Sequence, residues 1–283
     1  MSIAGILAAM NRRPHSIAAL LLCLLLPFAA IARAPTADAS TQTEWLSVLL
    51  AGRKVGHARI DREVGGDRII TRQRMHFELG RSGINISMST DETHEETRDG
   101  MPLAFTSIST ISGLEMRVEG RRVEGDRFAI KSGATGSLRN SELIWPERAL
   151  LAQGIELKLR EAGTTPGTRV ELRMFQPLLQ DAVELQHEVI GPAKLDLRGS
   201  AVETIEVRQT MTFPGGDMVS RAWMDDQLRS HKMTMDVMGQ MLELVVCDQA
   251  CAEAPNQPAE ILTTSLVASP RKLARNELEQ ALT

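Results

Sequence analysis

The sequence predicts a mainly β protein with minor α, built as a long curved antiparallel sheet of half-barrel shape with at least one packed helix. Three observations predict it. Apolar and polar residues alternate at period two through most of the chain after residue 40, the signature of half-buried strands. Glycine- and proline-rich punctuation recurs between the alternating runs, as in an antiparallel meander. One stretch alone clusters its apolar residues without alternating.

The chain begins with an export-type segment. Arg12, Arg13 and His15 form a positive start, Ile17 to Ala32 is an apolar run broken by Pro27, and small residues follow, which is the layout of a secretory signal. The run is shorter than the roughly 20 apolar residues needed to span a bilayer. Residues 1–39 are therefore read as a signal peptide cut after Ala39. The competing site after Ala34 would leave Pro35 at the new amino end, and Met10 is the expected true start. Cys23 follows leucines and does not suit lipid attachment. The expected destination is the periplasm, reached by export.

The domain expected next covers 40–251. Ile69, Thr71, Gln73, Met75, Phe77 and Leu79 share one strand face, while Arg72, Arg74, His76 and Glu78 share the other. The same alternation runs through Ile84, Ile86 and Met88, through Leu114, Met116 and Val118, and through Val207, Gln209, Met211 and Phe213. Turns are predicted at Ala51-Gly52-Arg53, Gly65-Gly66-Asp67, Asp99 to Pro102, Gly163 to Gly167 and Pro214-Gly215-Gly216. Between Pro146 and Glu161, the clustering of Leu150, Leu151, Ile155, Leu157 and Leu159 predicts a helix lying across the concave face, with Pro146 at its start. Strands are expected over 40 to about 140 and about 168 to 247. Residues 252–283 read as a linker and C-terminal tail, from their Pro, Ala and Asn content.

Composition excludes several functions. Without Arg12, Arg13, Arg33 and Asp38, the balance of 32 basic against 36 acidic residues becomes 29 against 35, so the net charge moves from -4 to -6. A mildly acidic surface of interspersed signs lacks the basic footprint of a nucleic-acid binder. No Tyr is present and aromatics are 3%, so stacking platforms are scarce as well.

No catalytic, cofactor or metal constellation emerges. Nucleophile-elbow, phosphate-loop and dinucleotide-binding glycine patterns do not occur. The segment Asp91-Glu92-Thr93-His94-Glu95-Glu96-Thr97 gathers carboxylates around an imidazole, with His94 and Glu96 on one side and Glu95 on the other, and it reads as a solvated face near a turn. His57, His76, His187 and His231 read as isolated. Met224, Met233, Met235, Met238 and Met241 suggest either soft ligands for Cu(I), gap-filling beneath a curved sheet, or a pliable apolar groove. Cys247 and Cys251, after a strand in an oxidising compartment, read most simply as a local disulfide. A metal site would need further ligands, and a thiol nucleophile would need a paired His such as His231.

Residues 44 to 57 (Glu44-Trp45-Leu46 through Val55-Gly56-His57), Glu96 to Leu103, Trp145-Pro146, Pro166-Gly167-Thr168, Met174 to Pro177, Leu242 to Cys247 and Ser269 to Leu273 resemble, in this order, the amino-terminal region of exported bacterial transglutaminase-like proteins. In that family the region precedes a papain-like domain with a catalytic Cys, His and Asp, none of which has a matching motif here. Cys247 and Cys251 match the non-catalytic pair of the leading domain. The chain ends where the catalytic domain would begin, which implies a free-standing version or a split reading frame. The meander also looks like the half-barrel of periplasmic lipoprotein carriers, an analogy of fold only. The resemblance implies a non-catalytic docking or substrate-presenting module whose partner is a transglutaminase-like catalytic domain or another envelope protein, acting through a β-edge or the concave face. The alternative expectation is a carrier of a lipid or other apolar ligand in the concave face.

Overall fold

The computed structural model describes residues 40–81, 84–197, 199–237, 239–257 and 259–260. Residues 1–39, read above as a signal peptide, Met238 and the residues from 261 lie outside the described residues. Eight strands come first: β1 (Ser40–Leu50), β2 (Arg53–Gly65), β3 (Arg68–Arg81), β4 (Ile84–Thr97), β5 (Pro102–Ile111), β6 (Leu114–Glu124), β7 (Arg127–Ala134) and β8 (Arg139–Ile144). A short β9 (Ala149–Leu150) leads into helix α1 (Ala152–Ala162). Then follow β10 (Arg169–Gln176), β11 (Asp181–Leu197), β12 (Ser200–Phe213), β13 (Gly216–Met224), β14 (Ser230–Val237) and β15 (Gln240–Cys247). A single-turn α2 (Gln249–Ala252) and the two-residue β16 (Ala259–Glu260) complete the described chain.

All the main strands belong to one sheet, in the order β8-β7-β6-β5-β4-β3-β2-β1-β15-β14-β13-β12-β11-β10-β9. The two meanders meet where β1 pairs antiparallel with β15, Leu46 opposite Val246 and Val48 opposite Leu244. Register shifts at Val48/Leu49, Glu95/Glu96, Arg122/Glu124, Val189/Gly191 and Trp223/Met224 bend the ladders, because an extra residue on one strand locally raises its twist. The sheet rolls up on its apolar face. Inner residues of both meanders, among them Leu46, Ile60, Phe77, Leu185, Met211 and Leu244, form one buried cluster that includes Ile155 and Leu159 of α1.

The alternation predicted for β3 holds: Ile69, Thr71, Gln73, Met75 and Phe77 are buried, and the residues between them are half-buried. Leu114 departs from the expected pattern and is 64% exposed, because it begins β6 beside the β5–β6 turn, beyond the covered part of the sheet. The helix begins later than the proline predicted. Ala149 and Leu150 are drawn into a parallel pairing with Arg173 and Met174, so α1 starts only at Ala152. None of the helices described is long and apolar enough to cross a membrane.

The sheet's two ends, β8 and β9, are not hydrogen-bonded to each other among the described residues, and side chains join them instead. Phe105 of β5, Phe128 of β7, Trp145 and Phe175 of β10 form a second core. Ring centres lie 4.5 Å apart for Phe128 and Trp145, 4.2 Å for Trp145 and Phe175, and 4.9 Å for Phe105 and Phe175. The Trp145 indole donates to the Ala149 carbonyl at 2.9 Å, which satisfies its buried N–H. Gly120, opposite Phe105, leaves room for that ring: a Cβ there would lie 2.2 Å from it. The chain has only six Phe and three Trp, so placing four of these nine at one seam concentrates its aromatic packing where backbone pairing stops. Truncating Phe128 to Ala should lower the unfolding free energy by about 3–5 kcal/mol, read by urea denaturation. A loss below about 1 kcal/mol would mean that the seam contributes little.

Candidate functional site

Strand pairing places an unusual set of polar groups on the inner face. Arg62 lies opposite Thr71, Thr71 opposite His94, Gln73 opposite Glu92, and Glu92 opposite Ser107. The expectation of a solvated face at 91–97 is overturned: Glu92 is 5% exposed, His94 8% and Glu96 not at all. The inward phase of Ile86 and Met88 continues without a slip through Thr90, Glu92 and His94, so these polar residues point where the apolar ones did. That phase was the signal available in the sequence, and the segment's acidity obscured it.

Glu96 holds the start of α1. The helix cap Leu151 offers no side-chain acceptor. The Glu96 carboxylate takes its place, accepting the backbone N–H of Gln153 at 2.7 Å and of Gly154 at 3.0 Å. Arg62 donates to the Gln153 carboxamide oxygen and lies 3.6 Å from Glu156, while Gln153 donates to the Arg98 carbonyl at 3.1 Å. Arg160 bonds Glu156 at 2.9 Å and the Gln227 carbonyl at 3.2 Å. Burial pushes Glu96 up to about 7 against those two N–H bonds and the Arg62 charge. The β4–β5 turn fits this first helical turn only because both sides are glycine. A Cβ on Gly100, whose φ is +83°, would stand 2.6 Å from the Gly154 Cα.

A small cavity beside the helix is lined by Gln73, Glu92, His94, Gln176, Ile155 and Phe175, among others. Ser107 donates to one Glu92 oxygen at 3.0 Å, and the other lies 3.8 Å from the His94 Nε2. Burial pushes Glu92 up to about 7 and His94 down to about 4, so the imidazole is neutral at neutral pH. Neither ring nitrogen of His94 nor the Gln73 carboxamide oxygen has a hydrogen-bond partner within the described protein. The order of contacts is not that of a nucleophilic triad, since the serine hydroxyl meets the carboxylate rather than the imidazole. The cluster also lies behind the helix.

The remaining candidates scatter. Met224, Met233 and Met235 are buried in the main core beside Leu242 and Leu244, where they fill space beneath the sheet, and Met241 faces outward, 48% exposed. His187 packs inside with Gln209 at 3.2 Å, and burial pushes it down to about 4. His231 lies 3.9 Å from Asp225. Cys247 ends β15 and Cys251 sits in α2, whose cap Asp248 accepts the Cys251 N–H at 2.8 Å.

His57 and His76, read as isolated, are neighbours. They lie directly opposite on the outer face of the β2–β3 ladder, with ring centres 6.0 Å apart. Trp45 stands 6.3 Å from the His57 ring, and the Arg59 guanidinium lies 5.0 Å over the indole. With Arg74, Asp91 and Glu253 these residues line an open concavity of about 430 Å³.

No family model matches the chain, and no curated protein sequence matches it. Among solved structures, it is similar to the crystal structure of a beta-barrel-like protein of the domain of unknown function DUF1849 from Brucella abortus. The TM-score is 0.53 and the identity 12%, over 73% of this chain and 95% of that one. That likeness concerns the fold, a barrel-like antiparallel sheet.

The raised pKa of Glu92 has a consequence for stability. Between pH 4.5 and about 7 the native protein holds this proton more tightly than the unfolded chain does. The contribution is therefore full below pH 4.5 and is lost as pH rises toward 7. Glu92→Gln does not titrate and lacks this slope. From pH 4.5 to about 8, the unfolding free energy of the wild type relative to the variant should fall by up to about 3 kcal/mol. Urea titrations at each pH measure it, and a flat difference would show an unshifted carboxyl.

Proposed function

We propose that this protein is a non-catalytic docking module of the cell envelope, acting by contact at the free edge of its sheet. The observation that carries this reading is the contrast between the two surfaces available for contact. The inner face is filled by α1 and the opposed core residues, whereas β8 has β7 as its only strand neighbour among the described residues and is exposed along nearly its whole length. An unpaired edge presents backbone donors and acceptors that an extended segment of a partner can extend as a further strand. The positive start, apolar run and small residues before Ser40 support an envelope location. The ordered resemblance to the leading region of transglutaminase-like proteins supports an enzyme of that type, or another envelope protein, as the partner.

The test is site-specific photo-crosslinking in native envelopes. A photoreactive side chain at Ser141 of β8 should capture one defined partner, and the same group at Val219, 48% exposed on β13, should not. Equal capture at both positions, or none at Ser141, would remove the edge as the contact.

The same compartment supports a local disulfide between Cys247 and Cys251. Closing so short a loop would stabilise the α2 corner by about 2 kcal/mol in the chain-entropy account. Intact-mass measurement of protein from native cells should find two hydrogens fewer than in the dithiol, and a fully reduced mass would overturn the assignment.

The carrier alternative retains the support of a barrel-like fold, but it requires α1 to leave the concave side. Native mass spectrometry should find the protein without a co-purifying lipid, and a stoichiometric lipid would favour the carrier.

A further inference from the structure

We propose that His57 and His76 form a two-imidazole chelate for a divalent transition metal on the outer face of the sheet, with Cu(II) the best-fitting ion. The inference is independent of the docking reading and concerns a different strand pair.

The geometry comes from the ladder. Residues directly opposite on antiparallel strands carry their Cβ atoms about 4.5–5.5 Å apart, so two such histidines reach outward side by side. A metal–nitrogen bond of about 2.0–2.1 Å puts each imidazole centre roughly 3 Å from the ion, so two rings that share one ion have centres about 4.5 Å apart at a right angle and about 5 Å apart at a tetrahedral one. The observed separation is 6.0 Å, so binding an ion draws the two rings about 1 Å closer by side-chain rotation. Both strands are long and internally paired, so the spacing is set by backbone hydrogen bonds rather than by a flexible loop.

The surroundings suit a cation better than the nearby basic residues suggest. Arg59 and Arg74 are both bonded to Asp61, and the Lys54 ammonium is turned onto the Ala254 carbonyl and the Asn256 side chain at 2.7 and 3.0 Å. Asp91 and Glu253 line the same concavity, together with Arg59 and Arg74. The Glu78 carboxylate lies 3.7 Å from the His76 Nε2.

No group of three or more His, Cys, Asp and Glu side chains is arranged to hold a metal among the described residues. The site is therefore open, with two protein nitrogens and solvent in the other positions. It is built for reversible binding rather than for a structural metal. Imidazole suits copper, nickel and zinc, and copper(II) heads the affinity order for such a pair.

The test titrates copper(II) sulfate into the tag-free mature chain and reads electron paramagnetic resonance. One bound ion per chain should show hyperfine coupling from two imidazole nitrogens. His57→Gln and His76→Gln should each weaken binding at least tenfold, and the double variant should lose the two-nitrogen signal. His231→Gln should leave it unchanged. Thermal unfolding without copper reports whether each variant is folded, and a zinc-induced shift of the His57 and His76 ring signals in nuclear magnetic resonance of the unaltered chain provides a reading that needs no variant. Copper coupling that survives in the folded double variant, or ring signals unmoved by millimolar zinc, would overturn the proposal.

Discussion

The carboxylate of Glu96 at the head of α1 is the contact on which the molecule's organisation turns. It lies on β4, in the first meander, and it binds the first turn of a helix that belongs to the second. Among the described residues no backbone ladder joins β8 to β9, so these two ends of the sheet are held together across the interior. One end of α1 is fastened by Glu96, Arg62 and the Gly100 turn, and its apolar side is held by the core that Ile155 and Leu159 share with both meanders. Such a carboxylate is costly to bury, and two donated backbone hydrogens and a guanidinium offset part of the cost, while the helix gains the cap that its own Leu151 lacks.

The aromatic seam and the polar interior divide the work of closure between them. At the seam, Phe128, Trp145, Phe175 and Phe105 provide non-directional cohesion where strand pairing ends. Around α1, directional bonds specify how deep the helix sits and which way it faces. Cohesion alone would tolerate a sliding helix. A network that includes Arg62, Gln153, Glu156 and Arg160 does not, because a shift of one residue would leave buried charges unpaired.

Much of the fold was legible in the sequence, and the reasons are local. The inward run from Ile69 to Phe77 and the turns at Gly52, Gly66 and Gly215 are properties of neighbouring residues, and strand formation responds to those properties. The acidic segment was misread because its composition outweighed its phase: Glu92 and His94 continue the alternation of Ile86 and Met88, and counting would have placed them inside. The histidine pair was also open to arithmetic, since a two-residue turn at Gly66 and Asp67 that pairs Gly65 with Arg68 also pairs His57 with His76. The start of α1 and the aromatic seam were not legible. Residues at 105, 128, 145 and 175 meet only after the sheet has rolled, and the pairing of Ala149 with Arg173 depends on a strand formed later in the chain.

After β15 the chain does not leave the molecule. It crosses outside β1 and β2 through α2, the Gln257 N–H donates to the Lys54 carbonyl at 2.6 Å, and β16 joins β3 in parallel at Leu79 and Gly80. A tether pulling on the chain beyond Glu260 would therefore load the outer flank of β2 and β3 before it strained the β1–β15 junction. The C-terminal strap acts as a strain relief for the ladder that joins the two meanders.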